Sequence, residues 1–423
     1  MSTRSIFRRL IKATAVGLAV TVVATTQATP RTFAATARNN PVLDWSLIAQ
    51  NAITVGRPPG SSAVLEGIVQ VAIYDAVVAI EGGYRPFVVS PTVRRPASTA
   101  AAVAAAARGV LVGRVPGQAA VVEAAYAAYL AEIPDGPAKT NGIAVGEQVA
   151  HPIIVWRADD GFDNQIPYVQ PAPGPGVFEP VLPTTPVDVK LKQVRPLALT
   201  TISHFRPDGP SRLTSTEYAD DFNEVKAYGR VDSTVRTAEQ TETALFWSEN
   251  AAVQWPRTLR NLAVQRGLNL AQSARMLAMA QVATADAILA CFDAKYHFLS
   301  WRPVHAIRRA DSDGNPATES DPAWTPLLFV NHPEYPGAHG CWTAAVVETL
   351  AAFFETDKIG FSMNSTVTGS THYYGRVSDA AKEVYDARTW AGLHFRNSTM
   401  EGAWIGRKVA RYVMRNHFGP TER

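Results

Sequence analysis

The chain has 423 residues, of which 47% are hydrophobic and 18% charged, so it can bury a large core and is neither disordered nor collagen-like. Its two cysteines exclude a disulfide framework and any multi-cysteine zinc or iron–sulfur site. The formal charge of +3 comes from residues 1–37, which hold five basic residues and no acid. The remainder has 35 basic and 37 acidic residues, so no basic surface for nucleic acid is expected.

The first 37 residues have the order of a secretory signal peptide. Basic residues between Arg4 and Lys12 precede an apolar run at 13–24, and an Ala-x-Ala pattern follows at 35–37. The pair Arg8–Arg9 leaves twin-arginine export open, and an anchoring tail is the alternative interpretation. We expect an exported protein, and no later segment looks long and apolar enough to span a membrane.

The rest of the chain predicts an all-α fold. Apolar residues recur at helical spacing from Asp44 to Tyr129, and again from Ser215, most clearly in a stripe over 271–292. Between them, ten prolines in residues 167–210 exclude regular helix. We predict a single helical domain over 38–423, with the proline-rich segment wrapped over the site and shaping substrate entry.

Two cations lie near the end of the striped helix. Lys295 and Arg302 are seven residues apart, which places them on one face if the helix continues to Pro303. Such a pair suits an oxyanion, although a solvated basic face is the ordinary alternative.

A second segment reads His-Pro-Glu-Tyr-Pro-Gly-Ala-His-Gly over 332–340 and leads into an apolar helical run. A Pro-Gly turn that feeds a helix leaves free N–H groups, which bind anions well. His339 stands at that helix start, where it could act as a general acid or base or simply cap the helix.

A third segment contains Arg388 and His394. In a continuous helix, their six-residue separation places them about 120° apart, so the arginine would have to curl round to reach what the histidine touches. A surface arginine and a core histidine are the alternative. Taken together, the segments in 290–402 supply three cations, a helix start and two histidines, which is the equipment of an oxyanion site.

The order Lys-x6-Arg-Pro, Pro-x-x-His and Arg-x5-His resembles the vanadium-dependent haloperoxidase and type 2 phosphatidic acid phosphatase superfamily. The exported bacterial haloperoxidase-like members are the most similar, and the stretches HPEYPGAHG, DARTWAGLHFR and DGNPATESDPAWTPLL extend the likeness. The resemblance implies a helical bundle that holds the oxyanion between its helices.

The resemblance also implies roles for particular residues. His394 would be the vanadate ligand of a haloperoxidase or the nucleophile of a phosphatase, and His339 would be the acid–base residue. Lys295 would also polarise bound peroxide. The residues expected to bind the oxyanion are Lys295, Arg302, Gly337, Ala338 and Arg388.

Three departures from the family pattern put activity in doubt. Gly337 and Ala338 occupy the middle positions of the family's usual Pro-Ser-Gly-His, so its serine is missing. Ala387 stands where serine usually precedes the arginine, and Ser398 stands where an aspartate usually orients the histidine. Glu401 or a backbone carbonyl is the expected substitute for that aspartate. Without a substitute, a catalytically impaired oxyanion binder is the third interpretation.

Vanadate and phosphate share charge and shape, so two enzyme classes stay open. A haloperoxidase would use vanadate, hydrogen peroxide, a halide and an organic acceptor, whereas an exported acid phosphatase would cleave a phosphoester. His332 matches a second active-site histidine of bromide-oxidising relatives, or it begins the turn before Pro333. The context of His332 and Glu334 favours the haloperoxidase. A homo-oligomer is possible for enzymes of this type.

Other sites are poorly supported by the sequence. No His-Glu-x-x-His zinc motif occurs, and the turn at 311–315 lacks the acidic residue that completes a calcium loop. Cys291 and Cys341 each lie within four residues of a proposed site residue, so either a disulfide or two buried thiols would fit.

Overall fold

The computed structural model describes residues 40–421, so the predicted signal peptide at 1–37 lies outside the described residues. The described part contains thirteen α-helices and one two-stranded hairpin. The all-α prediction is therefore confirmed, and the short hairpin is the one regular element that the sequence patterns did not indicate.

The third of the first five helices, α3, packs against each of the other four. Three of them begin with proline, whose fixed φ suits the first turn of a helix. Small residues let α3 and α5 approach closely, because a Cβ at Gly142 or Gly146 would collide with backbone of the neighbouring helix. The bounds are α1 Pro41–Ile53, α2 Pro59–Glu81, α3 Thr99–Arg114, α4 Ala119–Ala131 and α5 Pro137–Trp156.

The second half supplies the elements of the site. Here α9 runs through the core and packs against α2, α11 and α13. Its start is fixed by a capping box between Asn269 and Gln272. The bounds are α6 Thr216–Tyr228, α7 Ala238–Phe246, α8 Ala251–Gln265, α9 Leu270–Phe298, α10 Pro303–Arg308, α11 Ala338–Phe353, α12 Val377–Trp390 and α13 Arg396–Asn416.

The hairpin lies between α11 and α12. Its strands, β1 Phe361–Asn364 and β2 Thr371–Tyr374, are antiparallel, with Phe361 opposite Tyr374. The two aromatic rings of this pair stack at 4.9 Å between centroids. This cross-strand contact stabilises the register of the hairpin.

Two core helices, α2 and α9, are long and apolar enough by length and composition to cross a membrane. The expectation that no later segment would pass that test is therefore wrong. In α2 94% of the apolar window is buried inside the bundle, and in α9 all of it is. A helix that is apolar all round is typical of a protein core as well as of a membrane.

The proline-rich segment 167–210 contains no α-helix, as predicted, and only a short 3₁₀ helix, Val189–Gln193. Its later part is held by Asp286 of α9, whose buried carboxylate accepts the N–H groups of residues 197–199 at 2.6–2.8 Å. Asp75 of α2 binds residues 87–89 in the same way. Each carboxylate thus fixes an irregular segment to a central helix.

Candidate active site

The residues of the first motif lie on two different helices. The α9 helix ends at Phe298, and Leu299 follows in the left-handed conformation with φ 51°. Arg302 is the N-cap of α10, and Pro303 begins that helix. The expectation that Lys295 and Arg302 share a continuous helix is wrong, because the chain turns between them.

The residues of the third motif are also separated by a helix end. Arg388 lies in the last turn of α12, which ends at Trp390, and Gly392 turns the chain with φ 72°. His394 follows this turn, just before α13, and its N–H lies 3.4 Å from the carbonyl of Arg388. The predicted 120° separation does not apply, since the turn itself brings the two residues together.

His394 is held in one tautomer by partners on both ring nitrogens. Its Nδ1 lies 2.8 Å from Oε1 of Glu334, and the same oxygen accepts the N–H of Phe395 at 3.1 Å. Its Nε2 lies 3.3 Å from Nη1 of Arg302, which can only donate. Both contacts require the proton on Nδ1 and the lone pair on Nε2, which is the form that binds an electrophilic centre.

Glu334 therefore orients the imidazole of His394, a role for which the sequence analysis expected Glu401 or a backbone carbonyl. The side chain of Ser398 is 3.5 Å from Nδ1 of His394, a longer contact than that of the carboxylate. The orienting acid thus comes from the segment before α11 rather than from α13. Spacing alone had no means to find this, because 60 residues separate Glu334 from His394.

Three buried cations surround this histidine. Burial lowers the pKa of Lys295 to about 8, that of Arg302 to about 10 and that of Arg388 to about 9. Burial also raises the pKa of Glu334 to about 7. At most one negative charge thus faces three positive ones, and this deficit favours an anion with two or more charges.

The cations differ in how far the protein already satisfies them. Lys295 donates to the carbonyls of Pro333 and Glu334 at 2.9 Å each, which leaves one of its three hydrogens. Every nitrogen of Arg302 is engaged: Nε and Nη2 contact His332 or Pro333, and Nη1 contacts the Leu393 carbonyl and His394. An anion bound at Nε2 of His394 would therefore replace that nitrogen as the acceptor for Nη1 of Arg302.

Arg388 and His339 each have a side-chain nitrogen that lacks a hydrogen-bond partner among the described residues. In the described part of the chain, Nε of Arg388 and Nε2 of His339 are buried and without a hydrogen bond. Nη1 of Arg388 donates to the carbonyl of Trp247 at 3.0 Å. Buried polar atoms without partners are costly, so these two atoms mark positions where a polar ligand fits.

All three histidines near the site are kept neutral. Burial, together with the positive charges of Lys295 and other nearby cations, lowers the pKa of His332, His339 and His394 well below the usual value. His332 points Nδ1 at Nη2 of Arg302, 2.8 Å away. It thus braces Arg302 in addition to preceding the turn at Pro333.

A cavity of about 480 Å³ opens onto this cluster. Its lining includes both unpartnered groups as well as His332 and His394. Val187 and Asp188 of the proline-rich segment also line it, so the wrap does reach the site cavity. Among the predicted residues, Ala338, His332, His339, Arg388 and His394 line the cavity, whereas Lys295, Arg302, Glu334 and Gly337 do not.

The start of α11 differs from expectation at Gly337. Its N–H donates to the carbonyl of Ser398 at 2.7 Å, so it is not free for an oxyanion. A Cβ at this position would lie 2.9 Å from Cα of Thr399, which shows that the glycine is needed for the close packing of α11 on α13. Ala338, by contrast, lies in the first turn of α11 at the cavity wall.

The two cysteines lie next to the site as free, buried thiols. The side chain of Cys341 hydrogen-bonds to Cys291, which lies 3.6 Å from the carbonyl of Pro336. The predicted proximity of the two sulfurs is therefore found, but in the structure they do not form a disulfide.

The donor set fits an oxyanion better than a bare metal ion. Within residues 40–421, no group of three or more His, Cys, Asp or Glu side chains could hold a metal cation. The cluster instead offers positive charge, side-chain nitrogens without a partner in the described residues, and the Nε2 lone pair of His394. Vanadate and phosphate satisfy all three, and His394, Lys295, Arg302 and Arg388 are the side chains that would hold either.

Comparisons with known proteins relate this chain to the vanadium haloperoxidases. A family model described as the VCPO second helical-bundle domain matches residues 275–419, which contain all three motifs. Vanadium chloroperoxidase from Curvularia inaequalis is 26% identical over 185 residues, 36% of this chain and 30% of that protein. The match thus spans less than a third of that relative's length.

Two solved structures share the fold over most of both chains. A bacterial vanadium-dependent iodoperoxidase superposes with a TM-score of 0.78 and 20% identity, covering 90% of this chain and 98% of the other. A holo-type bacterial vanadium-dependent chloroperoxidase superposes with a TM-score of 0.67 and 16% identity, covering 89% and 93%.

The chain is therefore a helical-bundle protein with the fold of the vanadium haloperoxidases. The resemblance predicted from its motifs, to vanadium-dependent haloperoxidases and bacterial ones among them, is confirmed.

Proposed function

We propose that this protein is a vanadium-dependent haloperoxidase-like enzyme that uses hydrogen peroxide to oxidise a halide. The observation that carries this proposal is the tautomer of His394. Its Nδ1 faces Glu334 and its Nε2 lone pair faces the cation cluster, so the imidazole is ready to bind an electrophilic oxyanion centre.

The cation cluster explains why a highly charged oxyanion would bind. Lys295, Arg302 and Arg388 are buried with too little negative charge around them, and the anion would supply it. Bound vanadium(V) would act as a Lewis acid that activates peroxide toward halide without changing its own oxidation state. The protein's contribution is to hold the group and to balance its negative charge.

Two further side chains have chemical roles beside His394. His339 has a free Nε2 at the cavity wall, and a bound anion would raise its low pKa, so it can take and return a proton during turnover. Lys295 keeps one hydrogen free of protein partners and would direct it to oxygen. His332 holds Arg302 in position through its Nδ1.

The same geometry supports a second candidate, an acid phosphatase. The Nε2 lone pair of His394 could attack phosphorus and form a phosphohistidine, while His339 protonates the leaving oxygen and water later releases phosphate. The free Nε2 of His339 is the specific observation in its favour. An oxyanion binder without turnover is the third candidate.

The test uses residues 38–423 freed of bound anions. Bromide, iodide and chloride oxidation by peroxide is measured with and without orthovanadate, in parallel with hydrolysis of p-nitrophenyl phosphate. We expect vanadate-dependent halide oxidation that is lost in His394→Ala and retained in His151→Ala, a variant at an exposed histidine of α5. Hydrolysis that vanadate inhibits would establish the phosphatase, and neither activity would leave the binder.

We also propose that the protein is exported after cleavage near residue 37. The support is the order of basic, apolar and small residues in 1–37. Mass spectrometry of protein recovered outside the cytoplasm should find a chain that begins near Arg38. A full-length chain retained with the cells would contradict the proposal.

A further inference from the structure

A second cavity of about 380 Å³ is lined by Glu334, whose carboxylate contacts His394, but not by His394 itself. It shares no lining residue with the first cavity, which His394 lines, while Glu334 and Ser398 line the second one. No residue to which the motifs assign oxyanion binding lines it. It is therefore a separate space that the proposed activity does not use.

The walls of this second cavity are held by backbone pairing. The proline-rich segment pairs with the turn between α9 and α10: Phe178 donates to Leu299 at 2.6 Å, and Trp301 donates to Gly176 at 2.9 Å. The carbonyl of Ser300, between these two bonds, accepts the N–H of Glu334 at 3.0 Å. The cavity is thus a preformed feature of the fold rather than a gap beside a loose loop.

The turn at 311–315, which the sequence offered only as a weak calcium loop, braces another wall. The side-chain amide of Asn315 donates to the carbonyls of Leu213 and Ser215 at 2.7 and 3.0 Å. Leu213 lines the cavity, and Ser215 caps α6, which carries Tyr218. This turn therefore fixes the position of the wall from outside.

Two buried hydroxyl groups in the lining have no hydrogen-bond acceptor among the described residues. Tyr218 is 5% exposed and Ser300 is 6% exposed, and neither hydroxyl makes a hydrogen bond of regular geometry in the described structure. The indole of Trp301 lies beside Tyr218 but can only donate, so it gives the tyrosine proton no acceptor. A buried hydroxyl without an acceptor is unfavourable until a ligand or water supplies one.

The other side chains that line this cavity favour an uncharged aromatic ligand. Trp301, Tyr335 and Phe395 present aromatic surface, and Pro175 and Pro210 add flat aliphatic surface. The charged side chains in the lining are the exposed Arg212 and two acids that already have partners. Asp221 accepts the N–H of Asn397, and Glu334 bonds His394. A full charge on the ligand would have no buried counter-charge to itself.

We propose that this second cavity is a binding site for a small neutral aromatic alcohol, whose ring lies between the aromatic and proline side chains and whose hydroxyl bonds to Tyr218 and Ser300. An alcohol both donates and accepts, so one group can satisfy both side chains. The site goes beyond the proposed peroxidase, because it needs neither vanadate nor peroxide.

The test measures binding of p-cresol to the anion-free protein by isothermal titration calorimetry, with benzoate and benzylamine as charged probes of the same size. We expect saturable binding of p-cresol and much weaker binding of both charged probes. Tyr218→Phe and Ser300→Ala should each weaken binding about fivefold, as expected for the loss of one neutral hydrogen bond. Leu213→Trp, which fills the space, should abolish it.

A matched control is Tyr168→Phe, which removes a tyrosine hydroxyl of the proline-rich segment that lines neither cavity and should leave p-cresol binding unchanged. Absence of p-cresol binding at millimolar concentration overturns the proposal. So does binding that neither Tyr218→Phe nor Ser300→Ala weakens, or tighter binding of benzoate. Since no turnover is measured, failure here and failure of the proposed function are separate results.

Discussion

The strongest test of the site concerns Glu334, which the structure places at Nδ1 of His394. We consider Glu334→Gln, which keeps the shape and one acceptor oxygen but removes the negative charge. The carboxylate bonds the ring at 2.8 Å and is 2% exposed, so water cannot readily replace it.

Two effects of this substitution have opposite signs. Loss of the carboxylate makes the imidazole less basic and frees its orientation, which typically costs a metal-ligating histidine 10- to 100-fold in affinity, about 1.4–2.7 kcal/mol. Loss of the negative charge makes the cation cluster more attractive to an anion. If Glu334 acts by orienting His394, the first effect dominates and vanadate binds roughly 10- to 100-fold more weakly.

The assay is calorimetric titration of the anion-free protein with orthovanadate, with phosphate as a second ligand. Glu401→Gln is the matched control, since it neutralises the acid that the sequence offered for this role, and it should leave the affinity nearly unchanged. Thermal melting of both variants checks that they fold. Equal or tighter vanadate binding by Glu334→Gln would refute the reasoning and leave Glu334 as a charge rather than an orienting group.

Three further predictions follow from individual contacts. His339→Gln should reduce turnover roughly 10²–10⁴-fold while changing vanadate affinity much less, because Nε2 has no hydrogen-bond partner among the described residues. An equal loss in both quantities would contradict a proton-transfer role. Burial lowers the pKa of Lys295 to about 8 in the folded, anion-free protein. Between that pH and the ordinary pKa of lysine, the unfolded protein therefore binds more protons than the folded protein does. Thermal stability should accordingly rise with pH over that window. Lys295→Met should remove the part of the rise that lies between about pH 8 and the lowered pKa of Arg388, about 9, and an undiminished rise there would assign it to another group. Asp286→Ala leaves three buried N–H groups without an acceptor and should cost about 3 kcal/mol or more in urea denaturation, whereas exposed Asp159→Ala should cost little.

The sequence alone predicted the helical class, which is confirmed, and it selected the ionisable residues of the candidate site. Helical spacing located α9, and the prolines excluded α-helix from 167–210, because both signals are local in the chain. Residue type also sufficed to select Arg302, Arg388 and His394, since cations beside a histidine are rare enough in combination to indicate an oxyanion site.

The spatial arrangement of the residues within each motif could be predicted only in part from the sequence. The spacing arguments for Arg302 and His394 assumed continuous helices, whereas turns at Leu299 and Gly392 separate each pair. The residues still converge, but they do so through the turns, which depend on left-handed backbone at single residues that the tertiary packing stabilises.

The partners of the site residues were decided by the tertiary structure. Glu334, 60 residues away in the chain, replaces the missing aspartate at His394. The carbonyl of Ser398 accepts the N–H of Gly337, which the sequence predicted to be free for an oxyanion. Both contacts exist because glycines let the backbones of α11 and α13 approach closely. This packing brings the segment before α11 against the start of α13. A sequence specifies which groups are present, but which group satisfies which buried neighbour is fixed only when distant segments pack together.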